Sequence, residues 1–313
     1  MRIGIDAMGG DFAPEVAVMG IIQASKEVPA GVTVVAYGDA TVIEAILQRE
    51  NCNSSNIEII DAPEVIGMNE HPAKAFQMKQ NSSITVGFKH LHDGKIDAFA
   101  SAGSTGAMMV GAMYTIKSIQ GIIRPCITGP VPKLSGRKMT TLLDVGLNSD
   151  CKPDVLYQYG TLGNLFAKYY YEIENPKVCL LNIGSEEEKG NLLTRAAYEL
   201  MKDNFDYQFC GNLESNELYS DKVDVIVCDG FTGNIVLKQV ESLYNIAQEL
   251  KVDNPFFEHF NYENHGGTPV LGVNAPVIVG HGSSNAKAIK NMILQAHKVI
   301  VSELTEKIKQ AFQ

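Results

Sequence analysis

The stretch VIVCDGFTGNIVLK, residues 225–238, runs an apolar, strand-like segment into a turn of small residues and then into a helix. The same order returns in FASAGSTGAMM (99–109), LLNIGSEEEKGN (180–191) and VIVGHGSSNAKAIK (277–290). Each turn is poor in bulky side chains. It leaves backbone N–H groups and small hydroxyls at a helix N-terminus, where the helix dipole favours an anion. One such turn says little. Four of them, three with a Lys inside or just beyond, point to a pocket built for phosphate or another oxyanion.

Outward from these junctions, strand and helix patterns alternate. Residues 2–6 read as a strand, and Pro14 opens a helix at its first position, where a missing N–H costs nothing. Residues 32–37, 57–60 and 96–101 read as strands, separated by helical stretches over 41–49 and 71–92. This rhythm predicts an α/β fold with a mostly parallel sheet covered on both faces. Residues 124–138 break it. With Pro125, Pro130, Pro132 and two glycines, they read as an extended arm or interlobe crossing. A strand over 139–144, an aromatic-rich helix over 153–171 and strands over 177–183 and 223–228 follow. One long amphipathic helix over 285–312 comes last.

The chain of 313 residues is long enough for one large α/β unit or two modest lobes. Its 26 basic and 36 acidic residues give a net charge of −10, which argues against a general nucleic-acid role. The six cysteines form no CxxC pair and sit mostly in apolar stretches, the usage expected of reduced thiols in the cytoplasm. Asp6 interrupts the first apolar run, so the N-terminus does not read as a signal peptide. No apolar run is long enough to span a bilayer.

Individual residues admit two accounts each. Asp6 and Asp11 flank Gly9 and Gly10 in IGIDAMGGDFAPE; the acids are either ordinary loop and helix-start residues or part of a turn where backbone approaches a ligand. Lys189 follows GSEEE at an expected helix start, against the dipole's preference, which suggests use unless it is a solvated surface Lys. Glu186, Glu187 and Glu188 read as first-turn acids. Asp229 and Asn234 bracket a tight turn, with Thr232 expected to cap the helix and Asn234 either facing a ligand or a bystander. Ser283 or Ser284 reads as an N-cap, and His281 as a proton donor or phosphate partner. Cys228 ends an apolar strand and reads as core. No GxGxxG turn, GxxxxGK[ST] loop, GxSxG elbow or metal-ligand spacing appears, so the chemistry need not involve NAD, ATP, a metal or a covalent enzyme intermediate.

Taken in order, IGIDAMGGDFAPE, SAGSTGA, LLDVGLNSD, LLNIGSEEEKGN, CDGFTGNIVLK and GGTPVLGVN with HGSSNAKAIKN make the whole chain resemble the bacterial phosphate acyltransferase family (PlsX). That resemblance implies conversion of acyl-[acyl carrier protein] and inorganic phosphate to acyl phosphate, without a cofactor, for phospholipid synthesis. It implies a homodimer and a two-lobed, three-layer α/β/α fold similar to isopropylmalate dehydrogenase and phosphotransacetylase. The expected lobes are 1–123 plus 262–313, and an inserted 124–261. Carried over by motif, Lys189 and Asn234 are the expected catalytic residues. Asp6, Gly9, Gly10, Ser101, Gly103, Thr105, Asp229, His281 and Ser283 are pocket candidates.

Three departures from the family pattern stand out. Ser104 replaces an Asn, His265 replaces a Tyr, and the segment 251–261 is shorter than the helical hairpin usual there. Phe256, Phe257 and Phe260 in that segment are either a small membrane anchor or packing residues. The expected partners are acyl carrier protein, docked on a basic group of Arg124, Lys133, Arg137 and Lys138, and a downstream membrane glycerol-3-phosphate acyltransferase. The expected location is the cytoplasm, peripherally at the inner face of the membrane. Two other functions remain open at this point: a phosphotransacetylase acting on acyl-coenzyme A, and a non-catalytic carrier-protein scaffold.

Overall fold

The computed structural model describes residues 1–136 and 138–313. Its first elements are β1 (Arg2–Asp6), α1 (Glu15–Glu27), β2 (Thr33–Gly38), α2 (Ala40–Arg49), β3 (Ile57–Asp61), α3 (Pro72–Met78), α4 (Ser83–His92), β4 (Ala98–Ser101) and α5 (Thr105–Val110). A π-helical stretch, Gly111–Ile116, continues α5. Next come β5 (Cys126–Pro132), β6 (Met139–Leu143), α6 (Pro153–Tyr169), β7 (Lys177–Asn182), α7 (Leu192–Lys202), β8 (Gln208–Glu214), β9 (Val225–Val227) and α8 (Gly230–Glu249). The chain ends through β10 (Gly267–Leu271), β11 (Val277–Gly280), α9 (Ala286–Val301) and α10 (Leu304–Ala311).

These elements form two compact units. The first holds Met1–Ser118 and Tyr262–Val301. Its described strands run in the order β3-β2-β1-β4-β11-β10, parallel except for β10. Ile5 of β1 pairs with Ala36 on one side and Ala100 on the other. The middles of the central strands are apolar, as helices on both faces require: Ile3, Ile5, Val34, Val35 and Phe99 are all fully buried. The helical reading of 71–92 resolves into α3 and α4, because Ser82 starts a new helix by accepting from Thr85 N at 3.2 Å.

The second unit holds Ile119–Asn261 and Ser302–Gln313. Its described strands run β5-β6-β9-β7-β8, parallel except for β5. Residues 126–132 are therefore a strand and not an arm. Ile127 O accepts from Val145 N at 3.1 Å, so odd-numbered residues of β5 bond toward β6. Period-two alternation turns the nitrogens of Pro130 and Pro132 away from β6, so neither proline removes a bond of that ladder. The expected final helix is also corrected. It breaks at Ser302 and Glu303, where Glu303 takes a left-handed φ of 53°. The following α10 belongs to the second unit and packs on α6. The division thus falls after Ser118, not after residue 123, and the last twelve residues leave the first lobe.

Candidate functional site

In the second unit, α8 starts where the end of β9 meets a turn after β6. Asp229 is the N-cap of α8: its Oδ1 accepts from Thr232 N at 2.8 Å and its Oδ2 from Thr232 Oγ1 at 2.9 Å. Thr232, expected as the cap, is the capped residue. Below it, the fully buried Asp144 accepts from Ile127 N (3.1 Å), Leu147 N (3.3 Å) and Asn148 N (2.6 Å). Burial pushes the Asp144 carboxyl above the usual carboxylate range, against the pull of these donors. Asn148 O then accepts from Gly230 N at 2.8 Å, clamping the turn to the first residue of α8.

This clamp places Asn234. Gly146, in the middle of the turn, has a φ of 133°, and a Cβ there would stand 3.2 Å from Asn234 Nδ2. Only glycine combines that backbone with room for the amide. Asn234 opens onto a cavity of about 550 Å³, lined also by Gly146, Ser149, Phe231, Ile235 and Lys238. The other side of α8 borders a second cavity of about 530 Å³ at the carboxyl ends of β7, β8 and β9. Asn182, Gly190, Asn191, Thr194, Asp229 and Thr232 are among its lining residues. From β7 the chain proceeds through α7 to β8 on one side, while β9 flanks β7 on the other. This is the kind of switch point where α/β sheets bind ligands. Two separately quoted motifs, IGSEEEKGN and CDGFTGN, meet there.

Lys189 occupies a different place from the one its sequence suggests. The cap of α7 is Asn191, whose Oδ1 accepts from Thr194 N at 2.9 Å, so residues 183–190 form a loop. Glu186, Glu187 and Glu188 sit in that loop and not in a helical first turn. Lys189 O accepts from Asn182 Nδ2 at 3.2 Å, and its exposed ammonium stands 3.9 Å from Glu186 Oε1. It lines neither cavity described above, and neither brings it together with Asn234. Cys228 is buried, with its thiol pushed well up by burial, as a core cysteine should be.

The first unit gathers several other candidates. Ser101 Oγ donates to Asp6 Oδ2 at 2.6 Å and accepts from Gly103 N at 2.8 Å; Met8 N donates to Asp6 Oδ1 at 3.0 Å. Burial raises the Asp6 carboxyl, opposed by these hydrogen bonds. Gly9 lies against this network: a Cβ on it would strike Asp6 Oδ2 and sit 2.7 Å from Gly103 N. Beside Gly10, Asp11 N donates to Gly282 O at 2.7 Å, joining the β1–α1 and β11–α9 turns. Asp6, Gly9, Gly10, Ser101 and Gly103 are thus one cluster. Thr105 is exposed at the start of α5. His281 packs its ring 4.7 Å from that of Tyr262, whose hydroxyl donates to Ser283 O at 3.1 Å. The cap of α9 is Asn285, accepting from Ala288 N at 2.9 Å, and neither Ser283 nor Ser284.

The expected basic docking group does not form as a unit. Lys133 is buried in an ion pair with Asp224. Lys138 donates to Tyr171 O (2.8 Å) and Glu172 O (2.6 Å), Arg124 reaches Asn148 Oδ1 at 3.5 Å, and Arg137 lies outside the described residues. Sequence reasoning passed over Asp144, Asn148, Gly146 and Lys238, although DVGLNSD and the Lys ending CDGFTGNIVLK were in view. Among the described residues no group of three His, Cys, Asp or Glu side chains could hold a metal ion, and no helix is long and apolar enough to cross a membrane.

Comparison with solved structures gives the class. A phosphotransacetylase from Streptococcus pyogenes superposes with a TM-score of 0.66 at 18% identity, covering 96% of this chain and 94% of that one. The EutD phosphotransacetylase from Staphylococcus aureus gives 0.62 at 18%, over 95% and 94%. At such identity the likeness concerns the fold alone: an α/β fold of the phosphotransacetylase kind. A family model described as a fatty acid synthesis protein matches residues 1–307. A phosphate acyltransferase of Pelotomaculum thermopropionicum is 42% identical over 100% of this chain and 95% of its own length. Another, of Dictyoglomus turgidum, is 40% identical over 98% and 96%. The chain belongs to this phosphate acyltransferase family, as its motifs led one to expect.

Proposed function

We propose that this protein transfers the acyl group of acyl-[acyl carrier protein] to inorganic phosphate, releasing acyl phosphate and the free carrier thiol for phospholipid synthesis. Full-length similarity to phosphate acyltransferases carries the reading. Two of the motifs meet at a switch-point cavity, on the other side of α8 from the cavity that Asn234 lines. A phosphate oxygen attacks the thioester carbonyl carbon; a C–O bond forms, the C–S bond breaks, and the leaving thiolate takes up a proton. Phosphate is anionic, with a substantial share of dianion near neutral pH, so it needs positioning more than a strong base. Lys189 is assigned to hold phosphate and Asn234 to donate to the carbonyl oxygen as negative charge gathers on it. Losing one such donor typically costs about 2.7–4 kcal/mol of transition-state stabilisation. Asp6, Gly9, Gly10, Ser101, Gly103, Thr105, Asp229, His281 and Ser283 remain assigned to the pocket or its support.

The deciding experiment incubates the protein with palmitoyl-loaded acyl carrier protein and phosphate, and traps acyl phosphate with hydroxylamine. Acyl hydroxamate formed only when phosphate is present is the expected result. Its absence overturns the reading, and a parallel reaction with palmitoyl-coenzyme A identifies the donor. Lys189→Ala and Asn234→Ala should each lower turnover at least about a hundredfold with the fold intact.

The remaining partners belong to the same proposal: a homodimer, working at the inner membrane face, that passes acyl phosphate to a membrane acyltransferase. Phe260 is buried against Tyr219, so only Phe256 and Phe257 stay available for a surface role. Liposome flotation of the wild type beside Phe256→Ser/Phe257→Ser tests the membrane contact, and equal recovery removes it.

A further inference from the structure

We propose that Lys238 is a substrate-binding residue that grips a phosphate oxyanion in the cavity beside Asn234, a proposal that rests on the acyl-transfer reading above. Lys238 follows Asn234 by four residues on α8, a spacing that puts both side chains on one face of the helix. Both line the same cavity of about 550 Å³. Among the described residues lining it, Lys238 is the one ionisable side chain. The rest are Gly146, Gly230, the neutral polar Ser149, Asn234, Gln239 and Ser242, and the apolar Phe231 and Ile235. A cation accompanied by neutral donors, with no carboxylate in the wall, selects an anion over a cation.

The resting partner of Lys238 does not prevent this. Its ammonium stands 3.2 Å from Glu241 Oε2, outside the cavity lining, and its side chain is 60% exposed. Only the Lys238 side of the pair is well solvated, Glu241 being 20% exposed, and the flexible four-carbon stem lets the ammonium leave Glu241 for a ligand in the cavity it lines. Phe231 and Ile235 are more than half exposed beside it, an apolar wall next to the charged and amide groups. The acylated phosphopantetheine arm matches that whole division, and inorganic phosphate matches its charged half. Two phosphates enter the proposed reaction: inorganic phosphate, and the phosphodiester of the carrier's phosphopantetheine arm. The chemistry that Lys238 would recognise is common to both.

The test uses the full chain and the variants Lys238→Ala, Lys238→Gln and Lys238→Arg. Initial rates of acyl phosphate formation are measured with phosphate varied at saturating acyl carrier protein, and then the reverse. Loss of one charge-assisted hydrogen bond should raise one KM about tenfold or more in the Ala and Gln variants, with kcat changed much less, and Arg should restore most of it. A rise for phosphate assigns the inorganic ion; a rise for the carrier assigns the phosphodiester. Both constants within about twofold of wild type overturn the proposal, since tenfold is expected of such a bond. If the wild type forms no acyl phosphate, the acyl-transfer reading fails separately, and phosphate-dependent thermal stabilisation decides Lys238. A stabilisation present in wild type and lost in Lys238→Ala supports the assignment; equal shifts, or none in either protein, refute it.

Discussion

Replacing Asp6 by Ala removes the acceptor that ties the β1–α1 turn to the β4–α5 turn. Asp6 is 1% exposed, and its carboxyl accepts from Ser101 Oγ at 2.6 Å and Met8 N at 3.0 Å. Each buried donor left unmet costs about 1–3 kcal/mol, so the two together cost about 2–6 kcal/mol. For a unit of this size each kcal/mol lowers the melting temperature by about 2–4 °C, so Asp6→Ala should lose roughly 5–20 °C. Scanning calorimetry is the assay, because two units need not melt together. Asp6→Asn keeps the shape and an acceptor for Met8, and should lose much less. The pH dependence is a second arm. Burial raises the folded carboxyl above its usual value, so folded Asp6 holds a proton at pH values where the unfolded chain has released it. The folded state then binds more protons. The Asp6 contribution to stability is fully present below the unfolded value, and it falls as pH rises from there through the raised folded value. Asp6→Asn carries no such slope, so its deficit against wild type should shrink over that window. An Asp6→Ala melting temperature within about 2 °C of wild type, or a deficit of Asp6→Asn that widens with pH, would refute the reasoning.

Other variants test the second unit and the helix caps. Gly146→Ala forces a side chain into a φ of 133° against the Asn234 amide; turnover should fall at least about tenfold while the melting temperature moves only a few degrees. Lys133→Met leaves Asp224 buried without its ion-pair partner and should cost about 3–5 kcal/mol by calorimetry, whereas exposed Lys138→Ala should cost under about 1 kcal/mol. Asn285→Ala removes the α9 cap and should cost about 1 kcal/mol. Ser284→Ala, by contrast, removes a buried hydroxyl that has no hydrogen-bond partner among the described residues and should be neutral or stabilising in the same melts. Asp229→Ser can still cap α8 and should retain most activity, whereas Asp229→Ala should lose about 1 kcal/mol of stability together with turnover.

Periodicity and turn residues made most of the fold legible, because strands buried on both faces need a continuous apolar middle. The 2–6 and 177–183 strands needed nothing else. What failed was local chemistry judged without its partners. Three prolines argued against a strand over 126–132, yet the two within β5 share a parity and spare the edge that bonds to β6. Ser283, Ser284 and Thr232 were reasonable caps by type; Asn285 and Asp229 do the work because helix starts shift by a residue or more with the turn before them. Lys133 looked like surface charge in a basic run, and only the long-range pairing with Asp224 hides it. Of the candidate site, the cluster of Asp6, Gly9, Ser101 and Gly103 came straight from the motifs. Asp144 did not: its role depends on donors from Ile127 and Asn148 that become neighbours only once β5 and β6 have paired.

The first two turns of α8 separate two kinds of work. At about 100° per residue, Thr232 and Asn234 differ by about 200° around the helix, while Asp229 and Val236 return to the side of Thr232. The cavities follow this division: Asp229, Thr232 and Val236 line one, and Phe231, Asn234, Ile235 and Lys238 line the other. Asp229 is moreover committed through both carboxyl oxygens to Thr232. Its place in the motif therefore follows from holding the helix start, and through it the Asn234 amide, rather than from touching the same ligand. Gly146 and Asn148 act from the opposite direction, since the turn they build is fixed to Gly230 and, lacking a Cβ at Gly146, makes room for that amide. Asn234 thus sits between the helix start and the turn, both held by residues that need not meet the ligand; the oxyanion role proposed for it requires such support, because reorganisation during the reaction would forfeit the stabilisation supplied.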